Sequence, residues 1–130
     1  MTGDIPKSAV LVADDEPQLL ALCGRVLGKR GYEVLTARSG DEAVRAVAAR
    51  AGEVRAIVMD ATISPAGAVP VYGEILKMLD DVTVIVTSGG DLEPPVRELL
   101  AAHGGVFLRK PFSPVALVRA IEDVEPRGEA

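Results

Sequence analysis

The sequence predicts an α/β fold in which parallel strands alternate with helices. Two observations favour this class. Five short apolar segments recur along the 130 residues, and the segments between them repeat apolar residues at three- and four-residue steps, as amphipathic helices do. The third apolar segment, residues 56–59, is continuously apolar, which is typical of a strand that helices cover on both faces. Five strand and helix units in succession therefore predict one parallel sheet with right-handed crossovers.

The strands are predicted from short apolar runs that end in turn-forming or charged residues. The first and third are the most apolar, the fourth is β-branched throughout, and the second and fifth are shorter. In chain order, the predicted strands are residues 8–13, 33–37, 55–60, 82–87 and 106–109.

The first two helices have clear start and stop signals. The first is predicted to open at Pro17, because proline is favoured in a first helical turn, and to end at Gly31. Cys23 lies on its apolar stripe and is predicted to be a core residue. Either Ser39 or Asp41 could cap the second helix, since both side chains accept hydrogen bonds from free amides.

The last three helices are predicted from their prolines and apolar repeats. A loop at residues 61–70 contains proline and glycine, so the third helix is expected to occupy residues 71–79. Two consecutive prolines fit only a first helical turn, which predicts the fourth helix at residues 94–102. Ser113 is predicted to cap the fifth helix, which Pro114 begins.

These units predict a flavodoxin-like, doubly wound sheet of five parallel strands in the order 2-1-3-4-5, with five helices. With 48% hydrophobic and 25% charged residues, the chain can form one domain with one sizeable core. We predict a loose lead-in at residues 1–7, the domain at residues 8–125 and a polar tail at residues 126–130.

Charge and composition exclude several classes of function. The formal net charge of −5 argues against binding to nucleic acid or to an anionic membrane, since both require clustered positive charge. A single cysteine excludes an internal disulfide framework. No segment approaches the roughly 20 apolar residues that span a bilayer, and the start lacks the layout of a signal peptide. The sequence therefore predicts a soluble, cytoplasmic protein.

Polar residues follow four of the predicted strands, at the edge where an open parallel sheet binds its ligands. They are Asp14 and Asp15, Asp60, Ser88 and Lys110. Three carboxylates would repel one another unless a hard cation lies among them, and oxygen ligands suit Mg²⁺. A lysine and a hydroxyl opposite could bind phosphoryl oxygens. The residues thus predict a Mg²⁺-dependent phosphoryl site.

At these positions the chain resembles the receiver domain of bacterial two-component response regulators, over residues 8–124. The resemblance rests on an acidic pair, a phosphoacceptor, a switch hydroxyl, a Lys-Pro-Phe motif and a rotameric aromatic. Here these features are Asp14-Asp15-Glu16-Pro17, Asp60, Ser88-Gly89, Lys110-Pro111-Phe112 and Phe107.

The resemblance implies a phosphoprotein that takes a phosphoryl group onto Asp60 from the phosphohistidine of a sensor histidine kinase or phosphotransfer protein. It implies a Mg²⁺ site, which Mn²⁺ could also fill, formed by carboxylates and by the backbone carbonyl of Thr62. The implied carboxylates are those of Asp14, Asp15 and Asp60. The chain would be no enzyme, apart from catalysing its own phosphorylation and dephosphorylation.

The resemblance also implies how the signal leaves the site. Lys110 and Ser88 would hold the phosphoryl oxygens of the aspartyl phosphate, and the Lys110–Pro111 bond would be cis. Ser88 and Phe107 would act as the switch that repacks the face of the fourth helix, fifth strand and fifth helix toward a downstream protein. The chain would be a monomer or a weak, phosphorylation-dependent dimer, either stand-alone or of the hybrid-kinase type.

The loop after Asp60 departs from the family pattern, which usually places proline four residues after the phosphoacceptor. Ser64 occupies that place, Pro65 follows, and Gly67 comes early, so a reshaped loop is expected. Two other functions stay open. One is a pseudo-receiver that binds partners without phosphate. The other is a Mg²⁺-dependent phosphatase with an aspartyl nucleophile, although Thr62 stands where its second acid would be needed.

Overall fold

Five strands alternate with five helices in the computed structural model, which describes residues 8–122. The strands are β1 (Ala9–Ala13), β2 (Glu33–Ala37), β3 (Val54–Asp60), β4 (Thr83–Ser88) and β5 (Val106–Arg109). The helices are α1 (Pro17–Lys29), α2 (Gly40–Arg50), α3 (Ala68–Ile75), α4 (Pro94–His103) and α5 (Pro114–Glu122). A short 3-10 helix, Ala51–Glu53, joins α2 to β3.

Neighbouring strands of the sheet pair in parallel, in the order β2-β1-β3-β4-β5. This order confirms the predicted flavodoxin-like, doubly wound sheet. The register pairs Ala13 of β1 with Met59 of β3, and Asp60 with Thr87 of β4. The carboxyl ends of the central strands therefore lie side by side at one edge.

Two apolar layers cover the two faces of the sheet. Successive residues of a strand point to opposite faces. Val10 of β1 accordingly packs in the layer with α1 and α5, whereas Leu11 packs in the layer with α2, α3 and α4. Cys23 of α1 is fully buried in the first layer, as its place on the apolar stripe predicted. All of β1 and residues 56–59 of β3 are buried on both faces of the sheet, which is why these two stretches are continuously apolar.

Tyr72 anchors α3 to the middle of the sheet. Its side chain is fully buried, and its hydroxyl lies 2.8 Å from the carbonyl oxygen of Ile57 on β3 and 2.7 Å from that of Ile85 on β4. The hydroxyl also accepts the amide of Ile85 at 3.2 Å. Burial raises the pKa of the Tyr72 phenol far above its usual value, although the backbone hydrogen bond with Ile85 opposes this shift.

The predicted position of the third helix was wrong. α3 spans Ala68–Ile75 rather than residues 71–79, and the loop before it is correspondingly shorter. Pro70 lies in the first turn, where a missing N–H costs no intrahelical hydrogen bond. Gly67, with φ 88°, turns the chain into the helix in a conformation that few other residues accept.

The limits of the domain remain a prediction, because the lead-in at residues 1–7 and the tail at residues 126–130 lie outside the described residues. Between residues 8 and 122, the structure contains no helix long and apolar enough to cross a membrane.

Candidate functional site

The carboxyl edge of the sheet brings together the polar residues that end the strands. Asp14 continues β1, and its amide donates to the carbonyl of Ala37 at the end of β2, at 3.0 Å. The amide of Ala61, directly after β3, donates to the carbonyl of Thr87 at 2.8 Å. The amide of Lys110, directly after β5, donates to the carbonyl of Ser88 at 2.9 Å. The backbone pairing thus holds these strand ends against one another.

The ammonium group of Lys110 connects two of the predicted site carboxylates. Its Nζ donates to Asp14 Oδ2 at 2.7 Å and lies 3.3 Å from Asp60 Oδ1. Glu16 Oε1 is farther away, at 3.7 Å. The Asp14 side chain is almost fully buried, while Lys110 and Asp60 are 21% and 13% exposed. The site is therefore buried on the Asp14 side and open on the Asp60 side.

The charges around Lys110 keep its side chain protonated. Partial burial lowers the pKa of the ammonium group, but the hydrogen bond to Asp14 and the charges of Asp60 and Asp14 together outweigh burial. The net result is a pKa above the usual value for lysine. Lys110 is therefore a fixed positive charge at the site.

The two oxygens of the Asp60 carboxylate have different partners. Oδ1 faces the Lys110 ammonium, and Oδ2 accepts a hydrogen bond from the hydroxyl of Thr62 at 2.8 Å. The amide of Ile63 donates to the carbonyl of Asp60 at 3.1 Å, which forms the turn that brings Thr62 back over the carboxylate. The family resemblance implies only a backbone role for Thr62, and its side-chain contact depends on a turn that the sequence does not specify.

The predicted metal ligands are only partly brought together. Asp14 and Asp60 converge on one cation, the ammonium of Lys110, whereas Asp15 is exposed and stands apart from these contacts. Over residues 8–122, no group of three or more His, Cys, Asp or Glu side chains has the arrangement of a metal site. The carboxylate oxygens of Asp14 and Asp60, which converge on one cation, are nevertheless of the donor type that Mg²⁺ prefers, and Asp15 follows Asp14 directly in the chain.

The predicted switch residues lie beside the site, on β4 and β5. Ser88 Oγ accepts the amide of Gly90 at 3.1 Å. Phe107 is half-buried against the apolar layer of α2, α3 and α4. Two further residues were not predicted from the sequence. The guanidinium of Arg109 lies over the Phe107 ring and is also ion-paired with Asp91. The only signal in the sequence is that Arg109 is two residues beyond Phe107 on the same strand.

Two X-Pro bonds near the site are cis, Ser64–Pro65 and Lys110–Pro111. A cleft of about 430 Å³ opens beside Pro65, between the loop that precedes α3 and the loop that precedes α4. Thr62 and Ser88 both line this cleft. The open side of the site is therefore accessible from solvent.

Comparison with known proteins places this arrangement in a family. The family model of the response regulator receiver domain matches residues 10–122. The chain is 34% identical over 117 residues to the transcriptional regulatory protein GlrR of Escherichia coli strain K12, which covers 88% of this chain and 25% of that protein. It is 29% identical over 116 residues to the chemotaxis protein CheY of Thermotoga maritima, covering 88% of this chain and 95% of CheY.

A solved structure shows the same fold. The response regulator receiver domain protein from Clostridium thermocellum matches with a TM-score of 0.76 at 28% sequence identity, covering 90% of this chain and 93% of that one. The chain therefore spans about a quarter of the GlrR regulator and nearly all of CheY.

Proposed function

The chain belongs to the response regulator receiver domain family of two-component systems, and from this premise we propose that it accepts a phosphoryl group on the carboxylate of Asp60. The observation that carries the proposal is the convergence of Asp14 and Asp60 on the ammonium of Lys110, at the carboxyl edge of the sheet. The proposed donor is the phosphohistidine of a sensor histidine kinase or a phosphotransfer protein.

In the proposed reaction, an oxygen of Asp60 attacks the phosphorus in line with the bond to the donor imidazole. The new P–O bond forms as the P–N bond breaks, and the imidazole leaves. The carboxylate stands on the open side of the site, where a donor side chain can approach through solvent.

Lys110 supplies positive charge for the phosphoryl oxygens. Because the neighbouring carboxylates raise its pKa, the ammonium stays protonated and can move from Asp60 Oδ1 to an oxygen of the incoming group. Bound Mg²⁺ would neutralise further charge on those oxygens. Asp14, Asp15 and Asp60 would hold the metal, together with the backbone carbonyl of Thr62.

Signalling would follow from the position of Ser88. Its hydroxyl, which accepts the amide of Gly90 in this structure, would turn to donate to a phosphoryl oxygen. This movement would open space for Phe107 and bias the face of α4, β5 and α5 toward a state that binds a downstream protein.

The proposal is tested by titrating the protein with Mg²⁺ and beryllofluoride, a mimic of the phosphoryl group, while recording amide NMR spectra. We expect shifts around Asp15, Ser88 and Lys110 that spread to Phe107. Asp60→Asn should abolish them. Asp41→Asn is the matched control, because it removes an exposed carboxylate at the start of α2 and should leave the shifts intact.

The same titration separates the alternatives. If Mg²⁺ and beryllofluoride leave the wild-type spectrum unchanged, the phosphoacceptor function is wrong and the chain acts as a pseudo-receiver. If the wild type binds both and then turns over a small phosphoester such as p-nitrophenyl phosphate, the chain is instead a phosphatase.

A further inference from the structure

A chain of contacts on β5 joins the loop after Ser88 to the ring of Phe107. Arg109 lies two residues beyond Phe107, so both side chains stand on the same face of the strand. The guanidinium carbon of Arg109 is 5.3 Å from the centroid of the ring, within the range of a cation–π contact. Nη2 of the same guanidinium lies 3.3 Å from Asp91 Oδ1. Arg109 therefore contacts the aromatic ring and the loop that precedes α4 at once.

The segment between Ser88 and Asp91 is lightly packed. Its two residues are the exposed glycines Gly89 and Gly90, and each has open space where a side chain would stand. The amide of Gly90 donates to Ser88 Oγ, and Ser88 pairs in register with Arg109. A rotation of the Ser88 hydroxyl therefore breaks its hydrogen bond with the amide of Gly90, the residue that precedes Asp91.

We propose that Arg109 is a latch that holds Phe107 in its unphosphorylated position through the ion pair with Asp91. The inference rests on the proposed function, because it requires Ser88 to turn toward a phosphoryl group on Asp60. When Ser88 turns, the loop shifts, Asp91 moves away, and Arg109 no longer holds the ring. By linkage, a contact that exists only in the unphosphorylated state weakens binding at Asp60, so its removal strengthens that binding.

The expected effect is small because the latch is exposed. The side chains of Arg109 and Asp91 are 55% and 98% exposed. We expect Asp91→Asn and Arg109→Gln each to raise the affinity for beryllofluoride, in the presence of Mg²⁺, by about two- to five-fold. Asp80→Asn is the matched control for charge, since this exposed residue lies before β4, away from the carboxyl edge, and should bind as the wild type does.

The two substitutions separate a latch from simple electrostatics. Loss of a carboxylate near the site favours an anionic ligand, whereas loss of a guanidinium disfavours it. Electrostatics alone therefore predicts opposite changes for Asp91→Asn and Arg109→Gln, and the latch predicts an increase for both. Arg109→Lys keeps the charge but loses the planar group, so its affinity should lie between those of the wild type and Arg109→Gln.

A second measurement, fluorine NMR of the phenylalanine rings, is made on the variants without Mg²⁺ or beryllofluoride. The chain contains two phenylalanines, so fluorine-labelled phenylalanine gives two resonances, which Phe112→Leu assigns. Without Mg²⁺ and beryllofluoride, the Phe107 resonance of Asp91→Asn and Arg109→Gln should move toward its position in the ligand-bound wild type.

The outcomes are distinct. Unchanged affinities, or opposite changes in the two variants, would overturn the latch and leave the phosphoacceptor function standing. A Phe107 resonance that stays at its wild-type position in both unliganded variants would also overturn the latch. Failure of the wild type itself to bind beryllofluoride would overturn the proposed function, and the latch with it.

Discussion

Lys110 has a structural role in addition to its proposed role at the phosphoryl group, because it is the cation nearest a buried carboxylate. The Asp14 side chain is only 2% exposed, and its Oδ2 lies 2.7 Å from the ammonium. Removing one member of such a pair leaves an uncompensated charge in the interior. The conformation of the site without phosphate thus depends on the same lysine that would bind the phosphoryl oxygens.

We expect Lys110→Met, measured in the absence of divalent metal, to lower the free energy of unfolding by about 1–3 kcal/mol. The estimate lies below the cost of breaking a fully buried pair because Lys110 is 21% exposed. Adding Asp14→Asn to this variant should recover much of the loss, since the neutral amide needs no cation. Urea unfolding gives the free energy of unfolding of both variants. If Lys110→Met is as stable as the wild type, the ion pair between Lys110 and Asp14 does not stabilise the fold.

Cys23 should behave as an inert core thiol whose ionisation opposes folding. Burial raises its pKa from 9.0 to about 11, and the charge of Asp14 adds to the shift while that of Lys110 opposes it. The folded state therefore keeps the thiol proton over a range of pH in which the unfolded chain releases it. The stabilising contribution is fully present below pH 9.0 and is lost as the pH rises through about 11.

The test compares the wild type with Cys23→Ala between pH 8 and pH 11 by urea unfolding. Other groups titrate in this range and affect both proteins alike. The informative quantity is therefore the difference in free energy of unfolding between the wild type and Cys23→Ala, which should become smaller as the pH rises. In the native wild type, the thiol should also react with a disulfide reagent at pH 8 only as fast as the protein unfolds. Rapid reaction of the folded protein would contradict the buried position.

At the scale of elements, the contact between α2 and α3 depends on the absence of a side chain at Gly40. A Cβ at this position would lie 2.5 Å from Cγ2 of Val71, in the buried layer between the helices. The amide of Gly40 also donates to the carbonyl of Ser64 at 2.8 Å, which fixes the loop before α3. The helices therefore approach closely at the start of α2, beside the loop that precedes α3.

We expect Gly40→Ala to lower the free energy of unfolding by about 1–3 kcal/mol, because α2 or Val71 must shift to admit the methyl group. Gly24→Ala is the matched control on α1, where a Cβ would meet nothing within 4 Å. Relief of glycine's backbone entropy should make that variant more stable by about 0.5–1 kcal/mol. Urea unfolding measures the change in the free energy of unfolding for each variant. The two changes should have opposite signs if the helices approach closely at Gly40, and the same sign if they do not.

Strands and helices could be predicted where the pattern of apolar residues or prolines fits only one type of secondary structure. β1 and β3 are covered on both faces, so their continuous apolar runs identified them, and the prolines at the starts of α1 and α4 marked the first turns. The predicted start of α3 was wrong because Pro70 was interpreted as the end of a loop. Its lack of an N–H suits the first turn of a helix equally well. The sequence alone does not decide between these two readings.

The site could be predicted to the extent that it depends on strand ends. Asp14, Asp60 and Lys110 lie at the carboxyl ends of strands whose order fixes their position, so the sheet brings them to one edge. Contacts that depend on a local turn or on a rotamer were not predictable. The hydroxyl of Thr62 on Asp60 and the guanidinium of Arg109 over the ring of Phe107 are of this kind.

At the scale of the whole molecule, the site is in contact with both apolar layers through the strands that form it. Residues of β1 and β3 alternate between the layer with α1 and α5 and the layer with α2, α3 and α4. A ligand bound at Asp14, Asp60 and Lys110 therefore links three strands whose packing holds the two layers together. Such a ligand binds the folded state and has no site in the unfolded chain, so it should stabilise the fold as a unit.

We expect saturating Mg²⁺ and beryllofluoride to raise the free energy of unfolding of the wild type by about 2.7 kcal/mol at a ligand concentration one hundred times the dissociation constant. Asp60→Asn should show no such increase, because it lacks the oxygen that the mimic bonds, while Asp41→Asn should respond as the wild type does. Thermal unfolding with each component alone and with both together provides the measurement. Stabilisation of Asp60→Asn equal to that of the wild type would locate the ligand elsewhere. Stabilisation of the wild type and of Asp41→Asn, but not of Asp60→Asn, would assign the site to the carboxyl edge of the sheet.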